Sequence, residues 1–223
     1  MTGHDITGAS VRTTEPDLER FDRLERTVHW ATTALFFTVM FTGAALYAGP
    51  ISALVGRREL VRTLHVVAGL GLPVPLLVGL LGRRGANLRA DLGRINRWIP
   101  DDRVWLRRRT RDRARLGKFN AGQKLNATFL GAAIVLMLGT GIMMKWFESF
   151  PLSWRTGATF VHDWVALGVW IAVIGHIVFA MRDPEALASM RRGKISARWA
   201  RTKRPRWYEE TTGNPAERPK APR

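Results

Sequence analysis

Four long apolar runs, at residues 28–48, 61–81, 125–146 and 159–181, constrain this 223-residue chain more than any other feature. At about 1.5 Å per residue, each is long enough as a helix to cross a hydrocarbon core of about 30 Å. Lipid offers no partners to backbone N–H and C=O groups, so such runs must satisfy them internally as helices. The pattern predicts an all-α fold, an integral membrane four-helix up-and-down bundle. The first run carries no charge, and the second has Arg62 at its edge and Pro73 and Pro75 inside, which predicts a kink. The fourth is crossed only by His162, Asp163 and His176 as ionisable side chains. A mean hydropathy of −0.08 hides all this, because the charges are gathered between the runs.

The distribution of basic residues orients the bundle. Of 35 Lys and Arg, 14 fall between Arg83 and Lys124 and 12 in the tail from Arg182 onward, while the connections around Arg57 and Arg155 are short and poor in positive charge. The positive-inside rule then puts both termini in the cytoplasm. It also accounts for the net charge of +17 without a nucleic-acid partner. Residues 1–22 read as a polar, flexible leader without an apolar stretch of signal-peptide type, so the first span is expected to be retained. Residues 23–190 read as the membrane domain, with a basic cytoplasmic loop at 83–124, and residues 191–223 as a basic, disordered tail. The loop mixes Trp98, Ile99, Val104, Trp105 and Leu106 with arginines, which suits either a segment lying on lipid headgroups or a solvated loop. No internal repeat stands out. The chain has no cysteine, which excludes disulfides, thiolate haem ligation and Cys-held iron–sulfur clusters within it.

Of five histidines, four fall inside the apolar runs: His29, His65, His162 and His176. On this topology His29 lies near the cytoplasmic face and His65 near the outer face, with His162 at the outer end of the fourth helix and His176 at its inner end. The depths pair His29 with His176 and His65 with His162. The 14 residues from His162 to His176 rise about 21 Å and end about 40° short of four full turns, so both imidazoles face one side. Two neutral imidazoles per iron leave a haem six-coordinate, which favours electron transfer over oxygen binding. The pattern predicts two haem b groups stacked across the bilayer.

Arg26 precedes His29 by three residues and Arg62 precedes His65 by three, which places each arginine one turn toward water on the ligand's face. They are either haem-propionate partners or ordinary snorkelling arginines. Gly43 and Gly79 follow His29 and His65 by 14 residues each. They either give a flat porphyrin room at the other haem's depth or belong to the usual glycine content of membrane helices.

The stretch Gly117 to Lys124, GKFNAGQK, enters the third run. Together with the R-x-x-H-W start of the first run at Arg26, His29 and Trp30, and the histidine spacing of the fourth, it resembles the cytochrome b (gamma) subunit of membrane-bound formate dehydrogenases. The resemblance extends from about Arg20 to Met190 and is embedded in a wider family of b561-like di-haem membrane proteins. It implies axial ligation by His29, His65, His162 and His176, and a quinone, menaquinone or ubiquinone, near the cytoplasmic haem at Asn120, Gly122 and His176. It further implies a bacterial inner membrane and partner subunits carrying iron–sulfur clusters and molybdenum or tungsten. Asn120 is also a favoured helix N-cap residue, and the two roles are compatible. No site for a primary substrate is visible in the chain. A stand-alone b561-type superoxide:quinone or ferric oxidoreductase is the first alternative, and a haem-free membrane scaffold the second.

Overall fold

The computed structural model of the chain describes residues 15–50, 56–107 and 114–216. Most of the leader and the last seven residues of the tail therefore lie outside the described residues. The architecture is nearly all-α, with four helices long and apolar enough to cross a membrane. The first, α1, runs Arg23–Tyr47. Asp22 starts it by accepting from the Glu25 N–H at 2.8 Å, while the Glu25 carboxylate accepts from the Asp22 N–H at 2.7 Å. This reciprocal cap satisfies two of the donors that a helix start leaves open.

The second span is broken where the prolines fall, into α2, Arg58–Gly71, and α3, Val74–Leu81. Proline has no N–H to donate and its ring clashes with the preceding turn, so the helix breaks ahead of Pro73, while Pro75 is accommodated in the first turn of α3, where no donor is needed. Two short helices follow in the basic loop, α4, Ala86–Asn96, and α5, Pro100–Leu106. The third span, α6, is Ala121–Lys145, and the fourth, α7, is Leu152–Met181. The latter begins two turns ahead of the apolar run and at about 45 Å is longer than the hydrocarbon core.

Helix α1 packs along α2, and α6 along α7, with α2 also touching α6. At mid-depth Met40, Ala133 and Val169 form a small buried cluster, surrounded by Phe36, Leu130, Val165, Trp170 and Val173. Large apolar side chains such as Val135, Ile171 and Phe179 point outward. That surface suits lipid, and no other solvent would tolerate it at this extent.

The largest departure from expectation is the tail. Residues 191–216, read from sequence as disordered, are folded. Helix α8, Pro184–Arg192, leads into strand β2, Lys194–Ile195, and helices α9, Ala197–Lys203, and α10, Pro205–Thr212. Strand β2 pairs antiparallel with β1, Leu18–Glu19, from the leader. Ile195, Ala197, Trp199, Ala200, Trp207 and Tyr208 form a buried cluster under which Leu18 and Ala186 pack. Few residues are apolar here, but three of them are aromatic and each buries far more area than its share of composition suggests. The guanidiniums of Arg20 and Arg204 lie over the Trp199 ring at 4.7 and 5.2 Å. Burial, and then the neighbouring Arg204 charge, pushes Arg20 down to about 9; burial pushes Arg204 down to about 10. Both stay charged at neutral pH, and stacking on the aromatic face offsets part of the desolvation cost.

The loop is likewise neither a free solvated loop nor a plain surface segment. Asp91 of α4 and Asp102 of α5 are buried, and each is met by a lysine from the entry to α6. Lys118 reaches Asp91, and Glu25 of α1 at 3.4 Å. Lys124 reaches Asp102 at 2.7 Å and the Arg97 carbonyl at 2.8 Å. These pairs tie the loop to one end of the bundle.

Candidate functional site: two histidine pairs

The packing of α1, α2 and α7 brings the four span histidines together in two pairs. The His29 and His176 rings have centroids 6.5 Å apart with planes at 58°, and those of His65 and His162 are 6.4 Å apart at 63°. A direct ring-to-ring hydrogen bond brings such centroids to roughly 5 Å. Two imidazoles that share one metal through nitrogens at about 2.0 Å have centroids roughly 6 Å apart. Both pairs match the second arrangement. Among the described residues no group of three or more His, Cys, Asp or Glu is placed to hold a bare metal ion. Paired imidazoles with no further ligand suit an iron whose four equatorial positions are filled by a porphyrin, and the residues present fit haem b.

The pairs sit at opposite ends of the bundle. His29 is one turn above Glu25 and the buried lysine network, whereas His65 and His162 lie beyond the mid-depth cluster. Val169 stands midway in sequence between His162 and His176, so that cluster separates the two levels. Phe41 and Trp170 meet edge to face there, with centroids 5.9 Å apart.

The accessory residues fall into place unevenly. Gly43 abuts the outer pair: a Cβ there would stand 3.1 Å from Cε1 of His65. Gly79 lies at the opposite level, where a Cβ would stand 2.9 Å from Val28 and 2.7 Å from Leu88. Gly43 thus faces a histidine ring directly, whereas Gly79 faces Val28, the sequence neighbour of His29, and Leu88. Arg26 donates to the Asp22 carbonyl at 3.2 Å and to the Arg191 carbonyl at 2.5 Å, and Arg62 pairs with Glu59 at 2.6 Å in an exposed ion pair. Both guanidiniums have protein partners at the ends of their helices. Asn120 caps α6: its Oδ1 accepts from the Gln123 N–H at 2.9 Å, and the Gln123 side chain accepts from the Asn120 N–H at 3.0 Å. At Gly122 a Cβ would meet the Trp105 ring at 2.8 Å, so the indole's seat requires glycine.

Two residues escaped the sequence reading. The Thr42 hydroxyl lies 3.0 Å from Nδ1 of His65, and the Thr140 hydroxyl 2.9 Å from Nδ1 of His162. Each is followed by a glycine against the same ring, Gly43 and Gly141. A Thr-Gly step 22 or 23 residues ahead of a span histidine occurs in both helical hairpins, and that recurrence was the available signal.

Four apolar spans with a histidine pair toward each end define a multi-pass membrane protein of the cytochrome type. The chain belongs to the prokaryotic cytochrome b561 family, whose sequence profile matches residues 20–193. That membership makes it a membrane cytochrome b, and haem b and electron transport come with it. Among individual relatives, it is 25% identical over 195 residues to the formate dehydrogenase, nitrate-inducible, cytochrome b556(Fdn) subunit of Escherichia coli K12, which covers 84% of this chain and 88% of that one. It is 27% identical over 193 residues to the formate dehydrogenase cytochrome b556 subunit of Haemophilus influenzae, covering 83% and 79%. To the cytochrome b556(fdo) subunit of Escherichia coli K12 it is 26% identical over 204 residues, covering 86% and 92%.

Proposed function

We propose that this chain is the di-haem membrane subunit of a respiratory oxidoreductase, a formate dehydrogenase, and that it conducts electrons from outer face to inner face and on to quinone. The observation that carries the reading is the spacing of the two histidine pairs, each matched to one iron. In it His65 and His162 hold the outer haem b, and His29 and His176 the inner. The haems supply one-electron carriage. Two electrons leaving an external iron–sulfur partner, fed by a molybdenum- or tungsten-containing subunit, reduce one quinone near Asn120, Gly122 and His176. Two protons taken from the cytoplasmic side complete the quinol. The protein's part is to fix the ligands, keep the mid-depth apolar, and present a polar inner layer where protons are taken up. The relatives' names support the formate dehydrogenase assignment.

A water-soluble quinol added to membranes containing the chain tests this. Both b-type bands are expected to become reduced in the wild type. In His29→Ala, which lacks the inner haem, the remaining band is expected to stay oxidised. Full reduction of that band in His29→Ala would move the quinone chemistry away from the inner pair. A single purified chain that oxidises superoxide or reduces ferric iron at its outer face, without partners, would favour the stand-alone reading.

A further inference from the structure

The outer histidines are held differently from the inner ones. Thr42 and Thr140 each sit inside a membrane helix, where the single hydroxyl proton is already directed at a backbone carbonyl. Thr42 donates to the Thr38 carbonyl at 2.5 Å, and Thr140 to the Leu136 carbonyl at 2.8 Å. A hydroxyl has one proton to give and two lone pairs to receive with. Each oxygen is thus free to accept from the imidazole beside it, and the Val39 carbonyl is a second acceptor for the His65 ring. An Nδ1–H on either ring leaves Nε2 as the free lone pair. The backbone also packs against Cε1 of the same two rings, closely at Gly43, where a Cβ would stand 3.1 Å away, and at ordinary contact distance at Gly141, where it would stand 3.6 Å away. Among the described residues, no protein group hydrogen-bonds the His29 or His176 ring.

We propose that Thr42 and Thr140 are paired positioning residues for the outer haem, which commit both of its ligands to Nε2 coordination and lower its midpoint potential relative to the inner haem. This rests on the di-haem reading above. An acceptor on Nδ1–H makes an imidazole a more basic ligand. A more basic ligand stabilises ferric over ferrous iron. Placed on both outer ligands, the two hydroxyls make the transfer from outer to inner haem downhill, in the direction the proposed function requires. The arrangement is also an internal two-fold: the α1–α2 and α6–α7 hairpins each offer a Thr-Gly step to the histidine of their second helix.

The test uses the full chain in membranes with its partner subunits. Thr42→Val, Thr140→Val, the double variant and the corresponding serine variants are compared by haem content and by potentiometric titration of the α-band, with the outer component identified by its loss in His65→Ala. Valine keeps the shape and removes the hydroxyl acceptor, which leaves His65 with the Val39 carbonyl alone, whereas serine restores the hydroxyl. The double valine variant is expected to keep two haems and to favour reduction of the outer one about tenfold more than wild type, an upward shift of 59 mV for one electron. The inner component is expected not to move, and the serine variants to titrate like wild type. Loss of the outer haem in the valine variants alone would also support the positioning role. Unchanged potentials in the double valine variant, or equal effects of valine and serine, would overturn the proposal alone. Fewer than two haems in the wild type would overturn the di-haem reading and this proposal with it.

Discussion

At the residue scale, the chemistry of the bundle rests on four imidazoles that meet in two pairs. Membrane helices carry few ionisable groups, so four imidazoles at two matched depths stand out in the sequence. Asn120 and Gly122 came forward only through the family resemblance, and the structure gives each a local task, one as a helix cap and the other as the seat of Trp105. The threonines were invisible because Thr is common in apolar helices and only the fold reveals which ring it meets. The buried lysines were equally hidden, since a basic loop of this kind reads as solvated. Lys124 is the sharpest case: its side chain is 5% exposed and that of its partner Asp102 is 1% exposed. Lys124→Met leaves a buried carboxylate without its cation, which costs about 3–5 kcal/mol. Thermal unfolding of the purified protein is expected to show a clearly lowered midpoint, with most of the loss recovered by adding Asp102→Leu. A midpoint unchanged in Lys124→Met would mean that the pair is open to water.

At the element scale, the four spans could be read directly, because length and charge-free composition decide them. The break between α2 and α3 was equally plain, since proline chemistry is local. What the sequence hid were elements made by contacts distant along the chain. Strand β1 exists only because β2 arrives from the other end of the protein, where Gly193 accepts through its carbonyl from Arg20 N–H at 2.8 Å and Phe21 N–H at 3.1 Å. Gly193 closes α8 with φ of 85°, and a Cβ there would stand 2.7 Å from the Phe21 carbonyl oxygen. Gly193→Ala is expected to destabilise this junction by about 1–3 kcal/mol, the usual cost of a left-handed non-glycine residue. Faster hydrogen exchange at Arg20 and Phe21, with the spans unaffected, is the corresponding readout.

At the scale of the whole molecule, an even number of spans and the β1–β2 pairing bring the leader and the tail to one end of the bundle. The surplus of Lys and Arg at that end supports a cytoplasmic placement. A fluorescent reporter fused to the C-terminus is expected to light up inside the cell, and a periplasm-dependent reporter at the same site to stay silent; the reverse pattern would invert the direction of electron flow. The folded end is more than a solubilising fringe. Its buried pairs anchor the start of α1, which carries His29, and the start of α6, so the end of the bundle that holds His29 and the cap are one packed unit. Along α7 the 14-residue rise sets His162 and His176 about 21 Å apart, the separation that the proposed electron path has to span.

The central claim is that each histidine pair holds its own haem. The most direct measurement is haem b per polypeptide, with a dithionite-reduced minus oxidised spectrum, for the wild type, His65→Ala and His176→Ala. The account predicts two haems in the wild type, one in each variant, and a different α-band component missing from each. A folded wild type with no haem, or two variants that lose the same component, would contradict it.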